Sequence, residues 1–485
     1  MFQVADVEQS GIPTVSLIYG DQTECFTQAG LMSGSPLMRR VHVSRSMQGP
    51  EDVERFLPMV FDALTKPLTE EESKGYVHTI NQDRILFEGT LEDAEEFYAQ
   101  TEYYDILEAP IAKYTTGLPI VIPTEERVAA MLKGTSHKPD EFIVHYKEHS
   151  AFLFQNNANR PVEGKGSPVT FKPVKRTATV EQVAVNAVMA GCKPEYFPVV
   201  LAIAEAEGGG SYDGRGGMAI CVSGPISKEI EMNFKTGMFG PGNYANRSLA
   251  HASELMWRNL GNNIPQVTNC GIVGTPLFNV FPENLDALPP GWKGLNEEYD
   301  YKKDESIIFC MQIGTGGGVS IGRTTFSPGG YRAFQKSGHG GLARRLGVKG
   351  VPGPKNWIPY ILPEFWPGSS GGITFWMLPQ MAQHLYEAGF KSKDEVYEWI
   401  QKNSYISVKD YRTQSWADVN TASWTGVEAT SGKPWKELPE DYMVPMVSDP
   451  WQNCIIVCGA GEESTHWIGG RSPGMEAVHS IDNWR

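Results

Sequence analysis

The chain has 485 residues, 41% of them hydrophobic and 20% charged, with a formal net charge of −15 at pH 7. This length and composition are typical of a globular protein of two to four domains and argue against disorder. A general nucleic-acid binder is excluded because phosphate neutralisation needs clustered Lys and Arg. No apolar run reaches the about 18 residues of a membrane span, and no basic segment followed by an apolar one opens the chain. A cytoplasmic protein is therefore expected.

The chain opens with a strand–helix–strand–helix pattern over residues 1–75. GIPTVSLIY (11–19) and MRRVHVSR (38–45) are predicted strands, and EDVERFLPMVFDALTKPL (51–68) has apolar residues at helical spacing. This order is typical of a parallel sheet, yet it is about half of a doubly wound domain. We expect a partial α/β half-domain, whose missing strands come from elsewhere in this chain or from another chain.

Residues 76–176 are predicted to be a connecting region of helices and loops. An amphipathic helix is expected over 91–109, and a second helix with Thr124 as N-cap and a stop at Gly134. His145 and His149 have i, i+4 spacing and could bind one metal ion if that segment is helical, but without a third ligand a solvated helix face is the favoured explanation.

Residues 177–485 are predicted to form a larger mixed α/β domain that begins with two apolar helices. Thr179 and Gln182 indicate a capping box at the first helix, and Pro194 lies near the start of the second. Cys192 lies at their junction, where a helix N-terminus and Lys193 could lower its thiol pKa, or it could simply be a small buried hydrophobe. Two flanking residues are further catalytic candidates. They are Asn186, which needs a backbone or ligand partner within a helix, and Glu195.

A buried strand, GMAICVSGPI (217–226), precedes a Gly-rich turn, KTGMFGPGNYANRS (235–248), that leads into a helix. Backbone N–H groups at such a turn can hold a carboxylate or phosphate, and α/β pockets open where strands end. The predicted substrate-binding residues are therefore Ser223, Gly224, Gly237, Gly240, Asn243 and Asn246.

The C-terminal part combines a long insertion with further helices and strands. Residues 314–372 are rich in Gly, Pro and aromatic residues, as functional loops often are. Residues 373–404 are predicted to be helical with a C-cap at Gly389, and CIIVCGAGEE (454–463) to be the last buried strand. His466 follows that strand and a Gly turn, so it is an acid/base candidate, and His339 is a candidate loop ligand.

The seven cysteines are odd in number and widely spread, which favours reduced thiols over a disulfide scaffold. Cys454 and Cys458 lie too far apart on one extended run to be bridged, so they are expected in the core. The full set comprises Cys25, Cys192, Cys221, Cys270, Cys310, Cys454 and Cys458.

Several runs, spread over roughly half of the chain, resemble the UGSC family of (seleno)proteins. They are GLPIVIPTEERVAAMLKGTSHKPDE, TVEQVAVNAVMAGCKPEYFPVVLAIAEA, VSGPISKEIEMN, GMFGPGNYANRSLAHA and MAQHLYEAGFKSKDEVYEWIQKNSYIS. The opening half-domain also resembles the second half of that family's N-terminal domain, which is similar to the selenocysteine-bearing subunits of glycine and D-proline reductases.

The family's redox motif, Sec or Cys followed by Gly-Ser-Cys, would precede the first strand, and this sequence has no such run. The resemblance therefore implies a separate small subunit that carries the motif and completes the half-domain, or a homologue without this chemistry. The sequence leaves the cofactor open: either this chain holds none and the redox thiol or selenol comes from the partner, or the chain binds a metal ion.

Three functions remain open from the sequence. The first is a subunit of a hetero-oligomeric oxidoreductase-type enzyme that cleaves a carbon–heteroatom bond of a small anionic substrate. The second is a metal-dependent lyase or hydrolase, and the third is a non-catalytic scaffold for a redox partner. The metal-ligand candidates are His145, His149, His339, His466, Glu283 and the cysteines.

Overall fold

The protein is a mixed α/β structure. The computed structural model describes residues 4, 7–8, 10–32, 35, 37–44, 46, 50–73, 83–105, 107–147, 149–150, 162–171, 176–207, 216–264, 267–268, 278–314, 321–325, 373–403, 405–409, 431–445, 453–461, 464–469 and 478–485. Cys270, His339, Glu462, Glu463 and most of the insertion at 314–372 lie outside these residues. Within the described part, no helix has both the length and the apolar character needed to cross a membrane.

The N-terminal region, predicted to be a half-domain, contains β1 (Ser16–Ile18), α1 (Thr23–Met32), β2 (Arg40–His42) and α2 (Pro50–Thr65). The two strands are parallel, with Ser16 opposite Arg40, which confirms the predicted strand–helix–strand–helix order. Ile18 and Phe26 are buried in a small cluster of their own. Arg39 caps the C-terminal end of α2, since its guanidinium donates hydrogen bonds to the carbonyls of Ala63, at 2.6 Å, and Pro67, at 2.8 Å.

The connecting region contains α3 (Leu91–Tyr98), β3 (Thr101–Tyr104), β4 (Ala109–Ala112), α4 (Glu125–Met131), β5 (His149–Ser150) and β6 (Val162–Glu163). Strands β3 and β4 form an antiparallel hairpin, so the helix predicted over 91–109 is wrong beyond Tyr98. Glu108, with φ of 51°, makes the turn. The predicted cap of α4 is confirmed, because Thr124 accepts from Arg127 N.

His145 and His149 do not share a helix. The backbone N–H of His145 donates to Ser167 O at 3.0 Å in extended chain, and His149 belongs to β5. The helical spacing that would have brought the two rings together is therefore absent, and the predicted helical metal pair is wrong.

The larger part continues in chain order with α5 (Val180–Met189), α6 (Phe197–Glu205), β7 (Gly216–Ser223), α7 (Ile226–Glu229), α8 (Tyr244–Asn259), β8 (Phe278–Pro282), α9 (Leu295–Glu298), β9 (Ile307–Gly314), β10 (Ile321–Thr325), β11 (Ile373–Met377), α10 (Pro379–Glu387), α11 (Lys393–Asn403), β12 (Tyr405–Ser407), β13 (Met443–Pro445), β14 (Cys454–Val457), β15 (Ser464–Gly469) and β16 (Val478–Ser480). Residues 373–377 are thus a strand rather than the start of a helix, and two strands follow β14.

Two four-stranded sheets form the centre, in the orders β16-β9-β7-β8 and β10-β15-β11-β14. Strands β7 and β8 are parallel, whereas β7 and β9 are antiparallel. One face of β7 packs with α5, α6 and α8, through Ile220 and Val222. Its other face, through Ala219 and Cys221, packs against residues of β11 and β14. The first sheet is therefore covered by helices on one side and by the second sheet on the other.

Candidate functional site

Cys192 lies where the sequence places it, at the corner between α5 and α6. Gly191 turns the chain with φ of 75°, and Cys192 N donates to Ala187 O at 3.0 Å. The thiol is buried against α8. Burial raises its pKa to about 12, although a hydrogen bond with Ser248 lowers it in part. Of the two interpretations from the sequence, a lowered pKa is wrong and a small buried side chain is the one that the structure shows, because the thiol points into the core rather than toward a solvated helix end.

The Cys192 corner contacts the N-terminal end of α8, which follows the predicted Gly-rich turn. Tyr244 Oη donates to Gly191 O at 2.7 Å. The Lys193 ammonium lies 5.7 Å from the ring centre of Tyr196 and 5.8 Å from that of Tyr244. The structure thus brings two predicted features together and places a cation beside the first turn of a 16-residue helix.

Two of the predicted substrate-binding amides bind their own loop. Asn243 Nδ2 donates to the carbonyls of Gly237, at 2.7 Å, and Gly240, at 3.0 Å. Asn246 Nδ2 donates to Asn233 O at 3.0 Å and Met238 O at 3.1 Å. These contacts fix the shape of the turn, and a role of the turn in holding an anion stays a prediction.

The Asn186 side chain lies near the opposite end of α8 from the Cys192 thiol. Its Nδ2 donates to Gln182 O at 2.9 Å, and its Oδ1 accepts from Asn259 Nδ2 at 3.0 Å. The Asn186 amide therefore contacts the C-terminal end of α8, whereas the Cys192 thiol meets Ser248 near the N-terminal end of that helix. The two backbones are neighbours, because Cys192 N donates to the carbonyl of Ala187, the residue next to Asn186. Asn186 has the partner that the sequence required, and its amide binds Gln182 and Asn259 rather than the Cys192 thiol.

Ser223 and Gly224 end β7 on the other side of the first sheet. Ser223 Oγ donates to Glu283 Oε2 at 2.6 Å, on the face opposite Ile220 and Val222. Gly224 has φ of 125°, and a Cβ there would lie 2.5 Å from Ser306 Cα. Glycine is needed at this point so that the chain can pass close to residue 306.

Ser223 belongs to a buried ionic network at the carboxyl ends of the parallel strands β7 and β8. We call Ser223, Glu283, Glu298, Lys393 and Tyr397 the Lys393 network. Lys393 Nζ lies 2.6 Å from Glu298 Oε2 and 3.4 Å from Glu283 Oε1. Tyr397 Oη donates to Glu298 Oε1 at 3.1 Å. The network joins the first sheet to α9 and α11.

The pKa values in this network follow from burial and from paired charges. Burial is the main reason that the pKa of Glu298 rises to about 7, and it outweighs the opposing effect of Lys393. Burial alone would lower the pKa of Lys393, but Glu298 and Glu283 together raise it. Lys393 therefore remains protonated, while Glu298 takes up a proton near neutral pH. Sequence reasoning missed Lys393, Glu298 and Tyr397, because only Glu283, directly after a strand, carried a recognisable signal.

Glu195 and His466 lie in other parts of the molecule. Glu195 is exposed, 4.0 Å from Lys193, and lines an open cleft of about 480 Å³ with Lys133, Glu229 and Arg485. His466 is in β15, opposite Arg323 of β10 and Trp376 of β11. The structure does not gather these two residues into one site with Cys192, and their catalytic roles stay predictions.

The metal-ligand candidates do not converge in the described part of the chain, where no three His, Cys, Asp or Glu side chains are placed to hold one ion. Glu283 instead accepts from Ser223 and Leu295 N, at 2.6 and 2.8 Å, and faces Lys393. Its carboxylate is thus occupied by protein donors.

An exposed apolar stripe runs along α2. Val53, Leu57, Phe61 and Leu64 follow each other at helical spacing and are 37–61% exposed. Because the apolar face of an ordinary surface helix is buried, an exposed apolar stripe is an interface candidate. Leu17 of β1 is 48% exposed as well. We call these five residues the α2 face.

Comparison with protein-family models, with curated proteins and with solved structures found no match to this chain, so its resemblance to the UGSC family rests on the sequence runs quoted above.

Proposed function

We propose that this chain is one subunit of a heteromeric, thiol- or selenol-dependent enzyme, and that a smaller subunit docks on the α2 face. The observation that carries this proposal is the exposed apolar stripe beside a two-stranded parallel sheet. Parallel sheets occur almost only with both faces covered, and a two-stranded sheet is marginal by itself. An additional strand and helix would supply what this half-domain lacks.

The reactive sulfur or selenium would come from the smaller subunit. The six described cysteines are all buried. Burial raises the thiol pKa of five of them, which are Cys192, Cys221, Cys310, Cys454 and Cys458. Since the thiolate is the nucleophile, such thiols are poorly suited to attack a substrate.

The reaction that we propose is a reductive cleavage. The thiolate or selenolate of the partner displaces a heteroatom X from carbon, and a second thiol then attacks the resulting sulfur or selenium. Overall, R–X and two thiols give R–H, H–X and a disulfide or selenenyl sulfide, and a dithiol reductant restores the starting state. This chain, rather than the smaller subunit, would hold the anionic group of the substrate.

Geometry and charge favour a different chain over a second copy. A two-fold axis that paired β1 with another β1 would make the two strands antiparallel, whereas the present pair is parallel. Helix α2 carries four acidic side chains and one arginine, so a second α2 would also repel it. A partner with an apolar centre and basic rim fits this face.

Co-expression with small proteins that carry a Cys- or Sec-Gly-Ser-Cys motif tests the proposal. We expect a stoichiometric heteromer in size-exclusion chromatography with light scattering, and dithiol-dependent turnover of small anionic substrates by the heteromer alone. Leu57→Glu with Phe61→Asp should prevent assembly, whereas Met443→Glu, at an equally exposed position on β13, should not. Full turnover by the isolated chain, or assembly of the double variant, would refute the proposal.

A further inference from the structure

Three side chains lie along one face of the first two turns of α8. Tyr244, Arg247 and His251 are spaced at i, i+3 and i+7, so they are neighbours on the helix surface. Tyr244 is 60% exposed, and Arg247 is exposed as well. This face therefore presents an aromatic ring and a cation to solvent.

The loop that precedes α4 runs beside this face of α8 and is held at two points. At one end, Thr116 Oγ1 forms a hydrogen bond with Nε2 of His251, at 3.1 Å. At the other end, a Cβ added to Gly191 would lie 3.7 Å from Cγ2 of Val121 and 3.6 Å from Oη of Tyr244. The loop and the exposed face of α8 thus form one continuous surface.

The surface between these two points is apolar, with cations at its rim. Leu118, midway along the loop, is 53% exposed, and Val121 is 39% exposed. The ammonium of Lys193 lies 5.8 Å from the ring centre of Tyr244, which places a second cation beside Arg247. We call Leu118, Val121, Lys193, Tyr244 and Arg247 the Tyr244 face.

The two cations of the Tyr244 face are poorly compensated within the chain. Lys193 lies 4.0 Å from the carboxylate of Glu195, and both side chains are about half exposed, where such a pair contributes little. Among the described residues, no carboxylate lies within ion-pair distance of Arg247. A cation is also unfavourable at the positive, N-terminal end of a helix, and Arg247 is the fourth residue of α8. The fold itself therefore does not explain these two charges.

We infer that the Tyr244 face docks a protein partner that presents an acidic, apolar segment. Contiguous exposed apolar side chains mark interaction surfaces, and Tyr and Arg are enriched among the residues that dominate binding energy. Charge complementarity then selects the partner, because acidic groups would pair with Lys193 and Arg247. A second copy fits less well, since a two-fold pairing of this face with itself would bring its cations together.

This inference is independent of the proposed function. The α2 face lies on a helix with an excess of acidic side chains and fits a partner with a basic rim, whereas the Tyr244 face fits an acidic partner. The two faces therefore suit partners of opposite charge, and the failure of one interaction would leave the other intact.

Fluorescence anisotropy of labelled peptides with the whole chain tests the Tyr244 face. The probe is a peptide of repeated Glu-Leu-Leu-Glu units, compared with counterparts in which Gln replaces Glu or Ser replaces Leu. We expect the acidic, apolar peptide to bind at least about tenfold more tightly than either counterpart, and its affinity to fall as added salt screens the charges. These comparisons use the wild-type chain, so they do not depend on the folding of a variant.

A pair of double variants then locates the binding. Val121→Glu with Arg247→Glu should weaken binding of the acidic peptide about tenfold or more, because it introduces like charges. Met443→Glu with Lys303→Glu is the matched control, since it replaces one exposed apolar side chain and one exposed cation elsewhere and should bind as wild type does.

The inference is overturned if the acidic peptide binds no more tightly than its counterparts, or if the two double variants bind it equally. Light scattering tests the other occupant. Self-association of the wild type that Val121→Glu with Arg247→Glu abolishes would assign the Tyr244 face to a second copy and would likewise overturn the inference.

Discussion

Lys393 lies between Glu298 and Glu283 with 2% of its side chain exposed. One ammonium and two carboxylates would leave a net negative charge in the core, which is unfavourable where solvation is poor. Partial protonation of Glu298, with its pKa raised to about 7, relieves this charge. The network therefore links stability to pH near neutrality.

Stability should fall as the pH rises from 4.5 to about 7, because over this range folded Glu298 holds a proton that the unfolded chain has released. The contribution is fully present below pH 4.5 and is lost as the pH passes through about 7. Glu298→Gln should flatten this slope in chemical denaturation curves measured at several pH values. Equal slopes in the two proteins would show that Glu298 is not the group responsible.

Removal of Lys393 should be far more harmful than removal of one carboxylate. Lys393→Met leaves two carboxylates buried without a cation, so we expect a loss of about 3–5 kcal/mol in the free energy of unfolding. Restoring neutrality with Glu283→Gln and Glu298→Gln should recover much of this loss. A cost below about 1 kcal/mol for Lys393→Met, measured by urea denaturation, would contradict the role of this ion pair.

Cys192 should resist alkylation in the native chain. Since burial raises its pKa to about 12, little thiolate exists at pH 8, and the side chain is shielded. Peptide mass spectrometry after brief iodoacetamide treatment should find Cys192 unmodified, and modified once the chain is denatured. Rapid native labelling of Cys192 in preference to Cys310, which is also buried, would contradict this burial.

Sequence reasoning placed Cys192 at the corner between two helices and required a partner for Asn186, but it did not identify that partner or the environment of the Cys192 thiol. Cap and turn residues act within a few positions, so local spacing was enough to predict the corner between α5 and α6. The direction of the Cys192 thiol could not be predicted, because it depends on Ser248 of α8, which is distant in sequence. Lys393 was missed for the same reason, since Glu283 is 110 residues away in sequence.

At the scale of elements, cap residues correctly predicted where helices begin and end. Helical spacing of apolar residues was a poorer guide, because it predicted helices where the structure has strands. Thr179 and Gln182 form the expected capping box of α5, and Gly389 follows α10 with φ of 117°. Residues 101–109 and 373–377 were predicted to be helical, yet they belong to the β3–β4 hairpin and to strand β11. Their aromatic and β-branched residues pair with neighbouring strands, and such pairing outweighs weak helical periodicity.

The α5 cap offers a direct test of this local control. Thr179→Ala removes the hydroxyl that accepts from Gln182 N, and we expect a loss of about 1 kcal/mol in unfolding free energy. Thr179→Ser keeps the oxygen and should retain most of the stability. Equal losses in both variants would show that the methyl group, rather than the hydrogen bond, matters at this position.

At the scale of the whole molecule, the sequence predicted an incomplete N-terminal half-domain, and β1, β2, α1 and α2 have the expected order and parallel pairing. The packing of the first sheet between helices and the second sheet was not predictable, because strands β9, β11 and β14 are far apart in sequence. The α2 face likewise became visible only when the exposure of Val53, Leu57, Phe61 and Leu64 was known.

Hydrogen–deuterium exchange of this chain, alone and with the proposed small subunit, tests the docking proposal most directly. We predict that amides of β1 and α2 exchange at least about tenfold more slowly in the complex than in the isolated chain, because docking opposes local opening. Amides of α8 and α11 serve as internal references and should be unchanged. Unaltered exchange in α2, with protection elsewhere on the surface, would contradict the assignment of the α2 face as the docking site.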